Sequence, residues 1–127
     1  MNALAPMRDG SLTLFHKYGG ISAVRRVIID FYERVLDSDV LGPFFDHVDM
    51  PQLIDHQTKF FTMALGGPVA FSTQRLARAH ARLGITHAHF DAVLLLLRET
   101  LDHAGFAPQD LDTVLCDVEG LRSTIVT

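Results

Sequence analysis

Apolar residues recur along most of this chain with a helical period. In ISAVRRVIIDFYERVLDS (21–38), Val24, Val27, Ile28, Phe31, Val35 and Leu36 share one face, the spacing of an amphipathic helix. Before it, LTLFHKY makes a short turn ending at Gly19-Gly20, a strong helix stop. VLGPFFDHV follows as a short bend, because its glycine and proline rule out a long helix. Asp49 then opens MPQLIDHQTKFFTMAL, with Gln52 three residues on in capping-box spacing, and Gly66-Gly67-Pro68 terminates it. A loop through VAFST leads to RLARAHARLGIT (75–86), a short helical segment that Gly84 ends. Thr86 caps HAHFDAVLLLLRETLDHAG, with Phe90, Val93, Leu94, Leu97 and Leu101 inward. Pro108 starts the last helix, with Leu111, Val114, Leu115, Val118, Leu121 and Ile125 inward. No alternating strand pattern occurs, so the fold class is all-α, with four substantial helices and a short one around His80. A helix that short is marginal in isolation, so something else must hold it.

Composition narrows the possibilities. The 127 residues are enough for one domain with its own core, and residues 1–11, with Pro6 and Gly10, read as a flexible N-terminal extension. Apolar content is high for this size, at 48%, so some of it is available to line a ligand pocket. A net charge of -4 provides no basic footprint for nucleic acid. Cys116 has no second cysteine to pair with and reads as a small buried hydrophobe on the last helix. MNALAPMRDGS lacks the apolar core of a signal peptide, and the longest apolar run, AVLLLL (92–97), is far shorter than a membrane span of ~20 residues. A cytoplasmic protein without membrane insertion is expected.

The informative residues are polar side chains on apolar faces, of which three stand on three helices. Gln57 lies between Leu53 and Phe61 in the middle of its stripe, beside Ile54, Phe60 and Ala64. A buried amide without a partner costs ~1–3 kcal/mol, so it needs a bond to a neighbouring helix, a water or a ligand. Tyr32 follows Phe31 on the inward side, either pinning its hydroxyl at the surface or serving a site. His80 has Leu76 one turn before it and Leu83 less than a turn after, with Arg75, Arg78 and Arg82 on the flanks. It is either a core histidine bonded to a carbonyl or an axial ligand of haem iron. Haem would account for the held short helix and for the aromatic density of GPFFDHV and TKFFTM. The other histidines separate from this set: His87 and His89 cannot both reach one metal from a helix, and His16, His47 and His103 fall near element ends. Glu99 and His103 form one edge, not a site. His56, on the border of the Gln57 stripe, can turn inward or outward. No Ser-His-Asp or Cys-His constellation, phosphate-cradling loop or inward carboxylate pair occurs.

Six stretches in order, KYGG (17–20), DFYERVL (30–36), FFDHVDM (44–50), HQTKFFTMALGGP (56–68), AHARLGIT (79–86) and HFDAVL (89–94), resemble the group I truncated haemoglobins. The likeness runs from about residue 13 to 126 and implies a two-over-two helical sandwich around b-type haem (iron protoporphyrin IX), with residues 12–127 as one domain. It implies His80 as the proximal iron ligand, Phe45 stacked on the porphyrin, and Tyr32 and Gln57 as the distal pair facing bound gas. Leu53 would occupy the place where vertebrate globins carry a distal histidine. Phe61 matches a phenylalanine that gates an apolar tunnel in some members. Phe44, Phe60, Leu76, Ile85 and Phe90 complete the expected haem contacts, and Arg75 and Arg78 are candidates for the propionates. His56 is either a sixth iron ligand displaced by gas or a surface residue near a propionate. VEGLRST (118–124) has no histidine where some relatives bond one covalently to haem.

The resemblance implies reversible binding of oxygen, carbon monoxide and nitric oxide. Two inward donors in a dry pocket suit the charge that gathers on bound oxygen. Nitric oxide dioxygenation, with an unidentified reductase as partner, is the expected chemistry. The alternatives are a six-coordinate His80/His56 electron-transfer or redox-sensing haem protein, and a cofactor-free helical interaction module. A monomer or weak homodimer is expected.

Overall fold

The structure is a computed structural model in which residues 13–66 and 73–126 are described, without the side chains of residues 73–75. The expected extension 1–11, the Gly67-Pro68 terminator, the greater part of the VAFST loop and the Arg75 side chain lie outside the described residues.

The described elements are helical throughout: α1 (Leu14–Lys17), α2 (Gly20–Asp37), a 3-10 turn (Gly42–Phe45), α3 (Met50–Ala64), α4 (Thr73–His80), α5 (His87–His103), α6 (Pro108–Glu119) and α7 (Arg122–Ile125). Helix α2 packs on both α3 and α5, and α5 packs on α6, so the α2–α3 and α5–α6 pairs meet through α2 and α5. Their shared core contains Val24, Ile28, Phe31 and Val35 from α2 and Phe90, Leu97 and Leu101 from α5, with Leu111, Val114 and Val118 from α6. No helix among the described residues is long and apolar enough to cross a membrane.

Local chemistry sets the boundaries. Gly19 and Gly20 take φ of 108° and 76°, a left-handed path that side chains resist, which lets α1 fold back within two residues of α2. The Asp49 carboxylate accepts the Gln52 backbone N–H, and Thr86 and His89 cap α5 reciprocally. Gly42 is needed for space: a Cβ there would lie 2.9 Å from the Leu36 carbonyl oxygen. The 3-10 turn can therefore press against the end of α2.

Four expectations change. Leu36 is 47% exposed, because it sits in the last turn of α2, where the chain leaves the core at Ser38. The last helix divides at Gly120, a poor helix former, into α6 and the four-residue α7. Helix α4 ends at His80 and not at Gly84. The Leu83 N–H bonds the His80 carbonyl in a tight turn that leaves Leu83 off the helix and 44% exposed. Cys116 is exposed, since it lies two residues from both Val114 and Val118 and so on the opposite face of α6. Three buried threonines had no distinguishing mark in the sequence. Thr58, Thr62 and Thr100 each donate to a carbonyl one turn back, at 2.7 Å, which satisfies their hydroxyls inside apolar surroundings.

Candidate functional site

Helices α2 and α3 cross so that two of the three misplaced polar residues meet. The Gln57 amide Nε2 donates to the Tyr32 hydroxyl at 2.9 Å. The Tyr32 ring is only 5% exposed and is held edge-on by Phe31 at 5.0 Å and by Phe45 of the 3-10 turn at 5.7 Å. Burial pushes its phenol up to about 12, against the opposing effect of the Gln57 bond. Tyr32 therefore keeps its proton at any ordinary pH. Its oxygen already accepts from Gln57, and its O–H finds no acceptor among the described residues. It is a buried donor with an unused hydrogen.

The 3-10 turn supplies two rings. Phe45 faces Tyr32, and Phe44 meets the His89 ring edge-on at 4.9 Å, which ties the turn to the start of α5. On α3, Leu53 is half-buried, while His56 is exposed. The neighbouring Asp55 carboxylate pairs with Arg25 on α2. Further along, Phe60 and Phe61 pack edge-to-face at 5.4 Å. Phe61 is buried and lines a cavity of about 400 Å³ whose walls include Val24, Ile28, Leu65, Leu101 and Val114. Tyr18 and Phe106, stacked at 3.8 Å with planes 5° apart, also line it. The Tyr18 hydroxyl donates to Asp110 at 2.6 Å and accepts the Ala107 backbone N–H at 2.9 Å, which fixes the stack.

His80 is the last residue of α4 and is half-buried. Its Nδ1 lies 2.8 Å from the Leu76 carbonyl oxygen. A carbonyl only accepts, so Nδ1 carries a hydrogen, and in the neutral ring Nε2 then holds the lone pair. Nε2 has no partner among the described residues. The Nδ1 contact is the carbonyl bond of the core-histidine reading, and Nε2 stays open to the ligand reading. Leu76 and Ile85 are half-buried beside this segment, and Arg78 is exposed. Phe90 is 3% exposed in the core, with the Arg122 guanidinium carbon 4.7 Å from its ring centroid. Arg122 and Tyr18 carry no distinguishing mark in the sequence. Neither interrupts an apolar stripe, and their partners are 31 and 92 residues distant in the chain.

The chain matches the bacterial-like globin family over residues 13–127. It is 39% identical over 112 residues to a group 1 truncated hemoglobin of Synechocystis, covering 85% of this chain and 90% of the relative. To the group 1 truncated hemoglobin of Tetrahymena pyriformis it is 34% identical over 114 residues, covering 90% and 94%. The crystal structure of the Tetrahymena pyriformis truncated hemoglobin, Fe(III) form, superposes with a TM-score of 0.83 at 30% identity, covering 90% of this chain and 97% of that one. A 2/2 hemoglobin from Synechococcus with covalently attached heme gives 0.83 at 31% identity, with 90% and 98% covered.

Haem fits the residues present. Among the described residues, Nε2 of His80 and the hydroxyl hydrogen of Tyr32 have no partner, and their chemistry is that of a metal ligand and of a hydrogen-bond donor. The half-buried Phe44, Phe45, Leu53, Leu76 and Ile85 offer the apolar surface that a flat macrocycle covers. With fold, donors and sequence in agreement, the chain belongs to the bacterial-like globin family as a two-over-two truncated haemoglobin, a gas-binding protein with haem as its cofactor.

Proposed function

We propose that this globin holds oxygen tightly at the haem and converts nitric oxide to nitrate with it. The observation that carries the reading is the Gln57-to-Tyr32 hydrogen bond, which leaves the Tyr32 proton free to donate. Haem, when bound, would supply the iron at which the gas is taken up. His80 anchors that iron through Nε2, with the Leu76 carbonyl setting the ring's tautomer and angle. Tyr32 donates toward the charge gathered on the gas, and Gln57 keeps the phenol from rotating away. Because these dipoles are already oriented in a buried, low-dielectric place, little reorganisation is needed when charge appears. Leu53 keeps imidazole out of the usual distal position. Phe44, Phe45, Phe60, Leu76, Ile85 and Phe90 provide apolar haem contacts, and the exposed Arg78 is a candidate for a propionate, as is Arg75, whose side chain lies outside the described residues.

The overall reaction takes one nitric oxide, one dioxygen and one electron to one nitrate. The electron comes from a reductase, which is the protein partner this reading requires. The cavity beside Phe61, walled by Val24, Ile28, Leu65 and Leu101 and at its polar part by Arg26, Asp30 and His103, is the opening that this reading offers to small gases. His56 stays off the iron in this reading, supported by its exposed side chain, and lies near a propionate. A monomer or weak homodimer in the cytoplasm is the setting proposed.

The test is stopped-flow mixing of the oxygenated protein with nitric oxide. Rapid formation of one nitrate per haem is expected. Slow reaction, or nitrate well below one per haem, would exclude the dioxygenation and leave gas binding alone.

A further inference from the structure

We propose that Arg122 is a positioning residue for the proximal histidine, clamping α7 and the start of α5 so that α4 presents His80 at a fixed angle. The proposal rests on the reading of His80 as the iron ligand.

Helix α4 has eight residues, too few to be stable by itself. Among the described elements its most extensive packing is against α7. Helix α7 has only four residues and none of them is fully buried, so it has little packing of its own to fix it. Ile125 packs partly buried against the core, and the polar anchor of α7 is its first residue. Arg122 Nε donates to Glu119 Oε2 at 2.6 Å, and Nη2 donates to Glu119 Oε1 at 2.9 Å, a two-pronged pair across the Gly120 break. Nη2 also donates to Asp91 Oδ1 at 2.5 Å. Nη1 lies 3.2 Å from His87 Nδ1 and donates to the His87 carbonyl at 3.4 Å. The guanidinium plane covers the Phe90 ring.

His87, Phe90 and Asp91 form the first turn of α5. That turn is where the chain resumes helical structure after leaving His80. Arg122 therefore controls His80 by two routes: the support on which α4 rests begins at Arg122, and the six-residue connection out of His80 is anchored where Arg122 binds. The planar fork serves both at once, which a lysine ammonium cannot do. Ion pairs this close to solvent contribute little to global stability, so the consequence of losing the clamp is expected in the iron–histidine geometry and not mainly in Tm.

The experiment uses the full haem-loaded chain as Arg122→Met and Arg122→Lys. In the reduced, gas-free protein, the resonance Raman iron–histidine band is expected to shift and broaden in the methionine variant and to move less in the lysine variant. Haem transfer to an acceptor apoglobin should speed up about 10-fold, the usual scale for loss of a group that orients a metal ligand. Backbone amides of α4 should exchange faster in the apoprotein. The C–O stretch of the carbon monoxide complex, which reports the Tyr32–Gln57 side, should stay where it is. An unmoved iron–histidine band with unchanged α4 exchange overturns the proposal. So does a band shift accompanied by an equal disturbance of the C–O stretch and of every helix, which would mean general loosening. If Arg122→Met does not fold, Asp91→Asn and Glu119→Gln each remove one anchor and are expected to give smaller shifts of the same band. The underlying reading is checked separately with His80→Gly plus free imidazole. Survival of the original iron–histidine band in that variant without imidazole would remove His80 as the ligand, and the proposal with it. Loss and rescue of the band, beside an unmoved Arg122 variant, would overturn the clamp alone.

Discussion

The Gln57 side chain donates to the Tyr32 hydroxyl at 2.9 Å, so the tyrosine's own hydrogen is available to a third group. One bond thereby does two things. It satisfies a half-buried amide on the apolar face of α3, and it orients a donor on α2.

Tyr32→Phe tests the donor directly. A hydrogen bond to a charged acceptor contributes ~1.5–3 kcal/mol, which corresponds to release about 10- to 100-fold faster. Oxygen dissociation measured by stopped flow is expected to accelerate on that scale. Gln57→Leu should also accelerate release, but less, since it removes the orienting bond and leaves the donor. An unchanged dissociation rate in Tyr32→Phe would remove Tyr32 from the oxygen site.

Alkaline stability should carry the same residue's signature. The Tyr32 phenol rises from the usual 10 to about 12 in the folded chain, chiefly through burial. The folded state thus holds this proton more tightly than the unfolded state does. Its contribution is full below pH 10 and is lost as pH rises through about 12. A difference of about two units amounts to about 3 kcal/mol. Denaturant unfolding between pH 9 and 12 should show this decline, and Tyr32→Phe should flatten it. An equally steep decline in the phenylalanine variant would assign it to other groups.

At the acid end, the relevant carboxylate is Asp110. Its hydrogen bond from Lys17, then that from Tyr18, hold it below the usual carboxylate range. A lowered value stabilises the fold above the unfolded-state pKa, and that part is lost as pH falls through the folded one, below about pH 4. Tyr18→Phe removes one of the two donors and also leaves the Ala107 N–H without its acceptor. A loss of about 1 kcal/mol near neutral pH and an acid unfolding midpoint moved to higher pH are expected by circular dichroism. Unchanged acid and neutral stability would show that the hydroxyl adds nothing to the stack with Phe106.

His80, proposed as the iron ligand, and His56, proposed to stay off the iron, should behave in opposite ways. His80→Gly should lose the normal reduced spectrum and regain it with added imidazole. His56→Leu should leave the spectrum of the reduced, gas-free protein unchanged, as a broad single visible band. Sharp, split visible bands in the parent protein, abolished by His56→Leu, would establish His56 as a sixth ligand in place of the exposed position proposed for it.

Gly42→Ala probes how the aromatic turn is seated. The new methyl would fall 2.9 Å from the Leu36 carbonyl oxygen, so the turn bearing Phe44 and Phe45 must shift. A cost of about 1–3 kcal/mol is expected in thermal unfolding, with a displaced C–O stretch as Phe45 moves against Tyr32. A normal Tm and a normal stretch would mean that the backbone yields without moving the rings.

The sequence by itself determined the helices and the odd polar residues, because both depend on short-range chemistry. The Gly19-Gly20 stop, the Asp49 and Thr86 caps and the 3.6-residue stripes all act within a few residues, and they appear in the fold where the pattern puts them. His80, Tyr32 and Gln57 stood out because each interrupts an apolar face. The tertiary structure alone decided what each of them touches. Whether Gln57 bonds Tyr32, which nitrogen of His80 is left free, and whether His56 or Cys116 faces solvent all depend on how helices far apart in the chain are rotated against one another. The same holds for the end of α4 at His80, set by a side-chain bond and a tight turn where the glycine four residues later looked decisive. Arg122 is the clearest case: periodicity measures a residue against its own helix, and every partner of Arg122 belongs to another.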